Sequence, residues 1–127
     1  GNFELKLPPR TTTFDIAVQA PGFALASGRV FVQDHKILTI TVDQNGGGLI
    51  LEVPSTGNAV IRHDGAEFQS RWLATLSGGS IESRDGWDVA TLRDVEAGQY
   101  SLCVENRCRT GIVTPHGSLL LSLRPED

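Results

Sequence analysis

The chain has 127 residues, 15 acidic and 11 basic, for a formal net charge of −4. Its 39% hydrophobic and 20% charged content is that of one ordinary globular domain and excludes a disordered segment. With no basic stripe and no apolar stretch approaching a membrane span, neither a nucleic-acid surface nor membrane insertion of this fragment is expected. Gly1 stands where an initiator Met would. That reads as a processed or excised start, so the lack of a signal peptide carries no message about where the parent protein goes.

In chain order, Pro8-Pro9 opens the punctuation. Phe14, Ile16 and Val18 then alternate with polar or small residues, which predicts a half-buried strand. Pro21-Gly22 predicts a turn. Leu38, Ile40 and Val42 form a second alternating set, and Asn45-Gly46-Gly47-Gly48 reads as a glycine linker. Leu49, Leu51 and Val53 follow as a third strand face. His63-Asp64-Gly65 and Asp85-Gly86 carry the Asp-Gly signal of tight hairpins. The only helical turn expected lies near Glu67 to Thr75, ahead of the Ser77-Gly78-Gly79-Ser80 loop. Tyr100, Leu102 and Val104 form a fourth strand face and Leu119, Leu121 and Leu123 a fifth, with Pro115-His116-Gly117 turning between them. Short alternating runs at this spacing predict an all-β fold, an antiparallel two-sheet sandwich.

Two parts of the chain repeat one another. Phe14, Ile16 and Val18 align with Tyr100, Leu102 and Val104, and Leu38, Ile40 and Val42 with Leu119, Leu121 and Leu123. His35 and His116 fall into register in the same alignment. Residues 1–45 are therefore expected to be the back half of a preceding sandwich repeat, and 46–127 a complete copy. A half-sandwich leaves sheet edges open, so the first segment should dock on the second or pair with another chain.

The two cysteines are Cys103 and Cys108. If Glu105-Asn106 is a two-residue hairpin turn, Val104 faces Arg107 and Cys103 faces Cys108 in the closely spaced, non-hydrogen-bonded pair. That spacing suits a disulfide, and a disulfide suits an oxidising compartment. The other reading is two free thiols in a reducing cytosol. A metal site is disfavoured, because two cysteines with no nearby histidine make too few ligands.

The stretch from Asp85-Gly86 through Leu92 to Val95-Glu96-Ala97-Gly98-Gln99-Tyr100-Ser101-Leu102-Cys103-Val104 resembles the carboxypeptidase regulatory-like domain family. That family is a prealbumin-like (transthyretin-like), Greek-key β-sandwich. Val18-Gln19-Ala20-Pro21-Gly22-Phe23 is similar to the same family's exit from a strand. The opening strand, Leu49 to Val60, and the long stretch from Phe68 to Ser83 depart from its pattern. The resemblance implies a non-catalytic role without cofactors, in a secreted or envelope bacterial protein outside the cytoplasm. The partners it implies are neighbouring domains of the parent chain, or a polysaccharide. A further implied setting is that of an accessory domain beside a metallocarboxypeptidase unit.

Chemistry-bearing residues are few. His63-Asp64 could be a catalytic pair, but neighbours in a turn point different ways, so the turn is the expected role. His35 and His116 are expected in solvated turns. Asp85 and Asp88 supply too few oxygens for a calcium loop. No catalytic or metal-binding residue is therefore assigned. Trp72 and Trp87 are the candidate ligand-binding residues, since sugars stack on exposed indoles, although both are read first as core side chains.

Overall fold

The computed structural model describes residues 2–6, 13–31 and 37–124. Pro8-Pro9 and His35 lie outside the described residues. Twelve strands and one helix follow in order: β1 (Asn2–Lys6), β2 (Thr13–Val18), β3 (Ala26–Phe31), β4 (Ile37–Thr41), β5 (Gly46–Pro54), β6 (Val60–His63), β7 (Ala66–Gln69), α1 (Ser70–Leu76), β8 (Ser80–Arg84), β9 (Trp87–Glu96), β10 (Gly98–Val104), β11 (Arg107–Val113) and β12 (Ser118–Ser122).

Two four-stranded sheets, β11-β10-β6-β7 and β12-β5-β9-β8, form a sandwich, and β1-β4 and β2-β3 are two-stranded pairs. Alternation places the core as the sequence pattern requires. Leu49, Leu51 and Val53 from one sheet and Ile61, Tyr100 and Leu102 from the other join a single buried cluster. Fully burying each such side chain contributes about 2 kcal/mol. The Asp64-Gly65 and Asp85-Gly86 turns have positive φ at both residues (49° and 80°, 53° and 83°), the conformation that two-residue hairpins need.

One pairing corrects the wholly antiparallel expectation: β12 runs parallel to β5, with Leu119 opposite Leu49. After β11, the Pro115–Gly117 turn carries the chain from one sheet to the other. The Gly48 N–H then bonds the Gly117 carbonyl at 2.9 Å, so β12 enters beside β5 in its direction.

The glycine run is a second correction. Gly46, Gly47 and Gly48 are the start of β5 rather than a linker. A Cβ on Gly46 would lie 2.1 Å from Asp94 Oδ1, and one on Gly47 2.5 Å from the Thr114 carbonyl. The glycines permit close approach of neighbouring chain segments rather than flexibility.

The expected helical turn is α1. It buries Ser70, Leu73 and Ala74, and it ends where Gly78 takes a positive φ of 75°. Gly79 N–H to the Ala74 carbonyl and Gly78 N–H to the Thr75 carbonyl, both 3.1 Å, close a Schellman C-cap.

The N-terminal segment docks on the sandwich through Leu25 and the β2-β3 hairpin. Leu25 is 1% exposed and belongs to the common core. Its N–H bonds the Asp94 carbonyl at 2.7 Å, and its carbonyl accepts the Glu96 N–H at 2.9 Å. The β2-β3 hairpin lies against β7 and the end of β9.

Candidate functional site

A buried polar constellation sits at this seam. It is centred on His63, the last residue of β6. Alternation along β6 turns Ile61 and His63 inward and leaves Arg62 exposed, so the imidazole is buried, 4% exposed. It stacks on the Tyr100 ring at 4.0 Å between centroids, with 7° between planes. Gly98 makes room for it: a Cβ there would lie 3.0 Å from His63 Cε1, and Gly98 has φ 144°. Tyr100 fills the core, and its hydroxyl donates to the Glu96 backbone carbonyl at 2.7 Å. Burial pushes the Tyr100 pKa far up.

Both ring nitrogens of His63 face oxygen. Nδ1 is 2.8 Å from the Gln99 carbonyl and Nε2 is 2.9 Å from Glu96 Oε1. The exposed Asp64 carboxylate stands 3.4 Å from Nε2. A backbone carbonyl can only accept, and so can an ionised carboxylate. The two contacts together therefore select the doubly protonated imidazolium. Burial works against that charge, but the Glu96 bond, the Gln99 carbonyl and the Asp64 carboxylate outweigh it and hold the His63 pKa above its usual value.

Glu96 Oε1 also accepts the Ser27 N–H of β3 at 2.9 Å. The Asp64 carbonyl accepts the Arg29 N–H at 3.0 Å. His63, Asp64 and Glu96 bring one potential ligand atom each within 4.8 Å of one another. The Nε2–Oε1 contact at 2.9 Å has the length of a hydrogen bond between His63 and Glu96.

A second buried polar group holds the opposite part of the sandwich. Asp88, 1% exposed, accepts from Ser55 Oγ at 2.8 Å and Ser83 Oγ at 2.5 Å, and pairs with Arg71 of α1. It faces inward, bound to side chains from three other segments.

The cysteine expectation is met in register. Cys103 pairs with Cys108 and Val104 with Arg107. A disulfide joins the two cysteines across 4.2 Å between Cα atoms.

The core assignment of the tryptophans is overturned. Trp72 is 49% exposed, because α1 is so short that Leu73 and Ala74 already occupy its buried face. Its indole stacks on Phe68 at 5.3 Å. Trp87 is half-buried: on β9 the inward phase belongs to Asp88, Ala90 and Leu92, which leaves Trp87 on the outer face. The Arg124 guanidinium lies 5.0 Å over its ring and also pairs with Glu52. His116 is exposed in its turn, as expected.

The buried role of His63 was missed from sequence because the Asp-Gly turn beside it dominated the reading. The alternation Ile61–His63 was the available signal. No helix among the described residues is long and apolar enough to cross a membrane. No family model, curated protein or solved structure matches the chain.

Proposed function

We propose that this chain is a non-catalytic structural or interaction module of a larger secreted or envelope bacterial protein. The observation that carries this reading is how its polar residues are used. His63, Glu96 and Asp88 bond to one another, to the backbone and to neighbouring side chains, and they tie segments together. A nucleophile–base pair would instead keep a reactive atom open to substrate. The cysteine pair suits an extracytoplasmic setting. The resemblance to carboxypeptidase regulatory-like domains points the same way, with neighbouring domains of the parent chain as the partners.

The test is pull-down and titration with the flanking domains of the parent protein. Binding or mutual thermal stabilisation is expected. A hydrolytic or transferase activity of the purified chain, abolished by a point substitution, would overturn the reading.

One observation favours a second reading, a carbohydrate-binding module: the half-exposed Trp72 ring backed by Phe68. An indole face presented this way suits stacking against a sugar ring. A polysaccharide ligand would quench tryptophan fluorescence in the parent chain and not in Trp72→Ala. Quenching that survives this substitution removes Trp72 from the site.

A further inference from the structure

We propose that His63, Asp64 and Glu96 form a binding site for one divalent transition ion of the zinc type, which ties the β6–β7 turn to the end of β9. The geometry that carries this is the approach of two carboxylate oxygens to one ring nitrogen. Nε2 lies 2.9 Å from Glu96 Oε1 and 3.4 Å from Asp64 Oδ2, and all three ligand atoms fall within 4.8 Å of one another. Zinc bonds to imidazole nitrogen and carboxylate oxygen are about 2.0–2.2 Å long, so neighbouring ligand atoms around the ion stand about 2.8–3.6 Å apart. Both distances from Nε2 already have that length. The Asp64 side chain, 72% exposed on its turn, is free to close the third.

The surroundings are those that metal ligands need. A ligating imidazole is held through its other nitrogen, and a ligating carboxylate by a hydrogen bond of its own. Here Nδ1 lies 2.8 Å from the Gln99 carbonyl, which aims Nε2 at the carboxylates. Glu96 Oε1 accepts the Ser27 N–H at 2.9 Å, which leaves it a second lone pair for an ion. The Tyr100 ring stacked on the imidazole and Gly98 against its edge fix the ring plane. A cleft lined by Arg62, His63, Asp64, Gly65, Gln99 and Ser101 gives an ion its way in from solvent, and water from that side would complete the coordination.

Charge favours a dication over a proton. Two carboxylates meet one imidazole, so a proton on Nε2 offsets one of the two negative charges, whereas a divalent ion on the neutral ring offsets both. No basic side chain does this instead. Among the described residues, Asp64 and Glu96 form ion pairs with His63 alone, while Arg29 pairs with Asp15 at 2.7 Å and Arg62 with Glu67 at 2.8 Å. The ion takes the Nε2 lone pair, the proton leaves to solvent, and the Nδ1–H keeps its bond to the Gln99 carbonyl. One nitrogen beside two carboxylates sets the class of ion. Imidazole suits zinc and its neighbours in the first transition row, whereas calcium and magnesium take shells built of oxygen.

Zinc chloride titrated calorimetrically into the chelator-treated chain, beside NMR of the imidazole nitrogens, tests the site. One ion per chain is expected, with the Nε2 resonance of His63 shifted, its Nδ1–H retained and the exposed His116 unmoved. Cys103 and Cys108 are joined in the disulfide and offer no competing thiolate. Asp64→Asn is the deciding variant. Asparagine tolerates the positive φ of 49° at this position, so the turn persists, while a neutral amide is a poor ligand. Zinc affinity should fall by more than about tenfold in this variant and in Glu96→Gln. The urea midpoint should rise with zinc concentration in the parent chain and not in Asp64→Asn. His63→Gln should abolish binding; should it fail to fold, the two carboxylate variants decide. No bound equivalent at micromolar chain and zinc, an affinity unchanged in Asp64→Asn, shifts confined to His116 (an adventitious surface ion only) or displacement of zinc by excess calcium would each overturn the site.

Discussion

The hairpins β2-β3 and β10-β11 occupy the segments that the repeat aligns, yet they are held in opposite ways. β10-β11 is part of a four-stranded sheet, buries Tyr100 and Leu102 completely and carries the Cys103–Cys108 bond. β2-β3 pairs only with itself, and its matching residues Phe14, Ile16 and Val18 are half-buried. What it lacks in apolar burial it replaces with polar ties: Ser27 to Glu96, Arg29 to Asp64, and the Glu67 N–H to Asp15 Oδ2 at 3.2 Å. A similar pair appears in the strands behind them. In the sandwich β12 and β9 flank β5, whereas β4 pairs directly with β1. The same local pattern thus gives a core element where a central strand is present to cover it, and an appended element where none is. The difference lies in long-range partners and not in the hairpins themselves.

That contrast is sharpest in the core. Leu102→Ala should lower global stability by about 3 kcal/mol, since the site is fully buried and closely packed. The repeat-equivalent Ile16→Ala should cost about 1 kcal/mol and act mainly on hydrogen exchange within β2-β3. Urea denaturation beside exchange separates the two. Equal global losses would mean that the hairpins are one cooperative unit. Next in size, Asp88→Ala strands the Ser55 and Ser83 hydroxyls and frees Arg71, which is exposed enough to rehydrate. A global loss of about 2.5 kcal/mol is expected, again by urea denaturation.

Much of the sandwich was legible because its information is local. Period-two alternation sorted Leu49, Leu51 and Val53 to one face, the Asp-Gly pairs marked their turns, and five residues of separation set the cysteine register. What escaped depends on partners far along the chain. His63 is defined by Glu96 and Gln99, 33 and 36 residues away, and Gly46 by the close approach of Ala24 and Asp94. Nothing within Asn45–Gly48 distinguishes a glycine that bends from one that makes room. The exposure of Trp72 likewise depends on which side of a seven-residue helix meets the sheet. The seam was foreseen only as a need, from the open edge of a half-sandwich, and not as particular residues.

Reducing the disulfide tests whether the complete hairpin depends on its staple. The loop closed is short, so the loss in global stability should be about 2 kcal/mol, with β10 and β11 still paired. The Cys103→Ala, Cys108→Ala double variant in urea checks this. A loss well above that value would show that the edge strand β11 is held chiefly by the covalent link.

The smallest expected effect probes the outer end of the seam. Asp15 binds Arg29 in bidentate fashion, at 2.7 and 3.2 Å, and receives the Glu67 N–H. The Arg29 bond holds its pKa below the usual carboxylate value, with burial opposing and the Glu67 N–H assisting. A lowered folded pKa stabilises above the unfolded value, here 3.8, and the contribution disappears as pH falls through the folded one. Because the pair is solvent-screened, Asp15→Asn should loosen the hairpin by only about 0.5 kcal/mol near neutral pH, read as exchange of the Glu67 amide. Once pH has fallen through the folded value, the variant and the parent should converge. A difference that persists once Asp15 is protonated would mean that the asparagine disturbs the seam by its shape rather than by removing the charge.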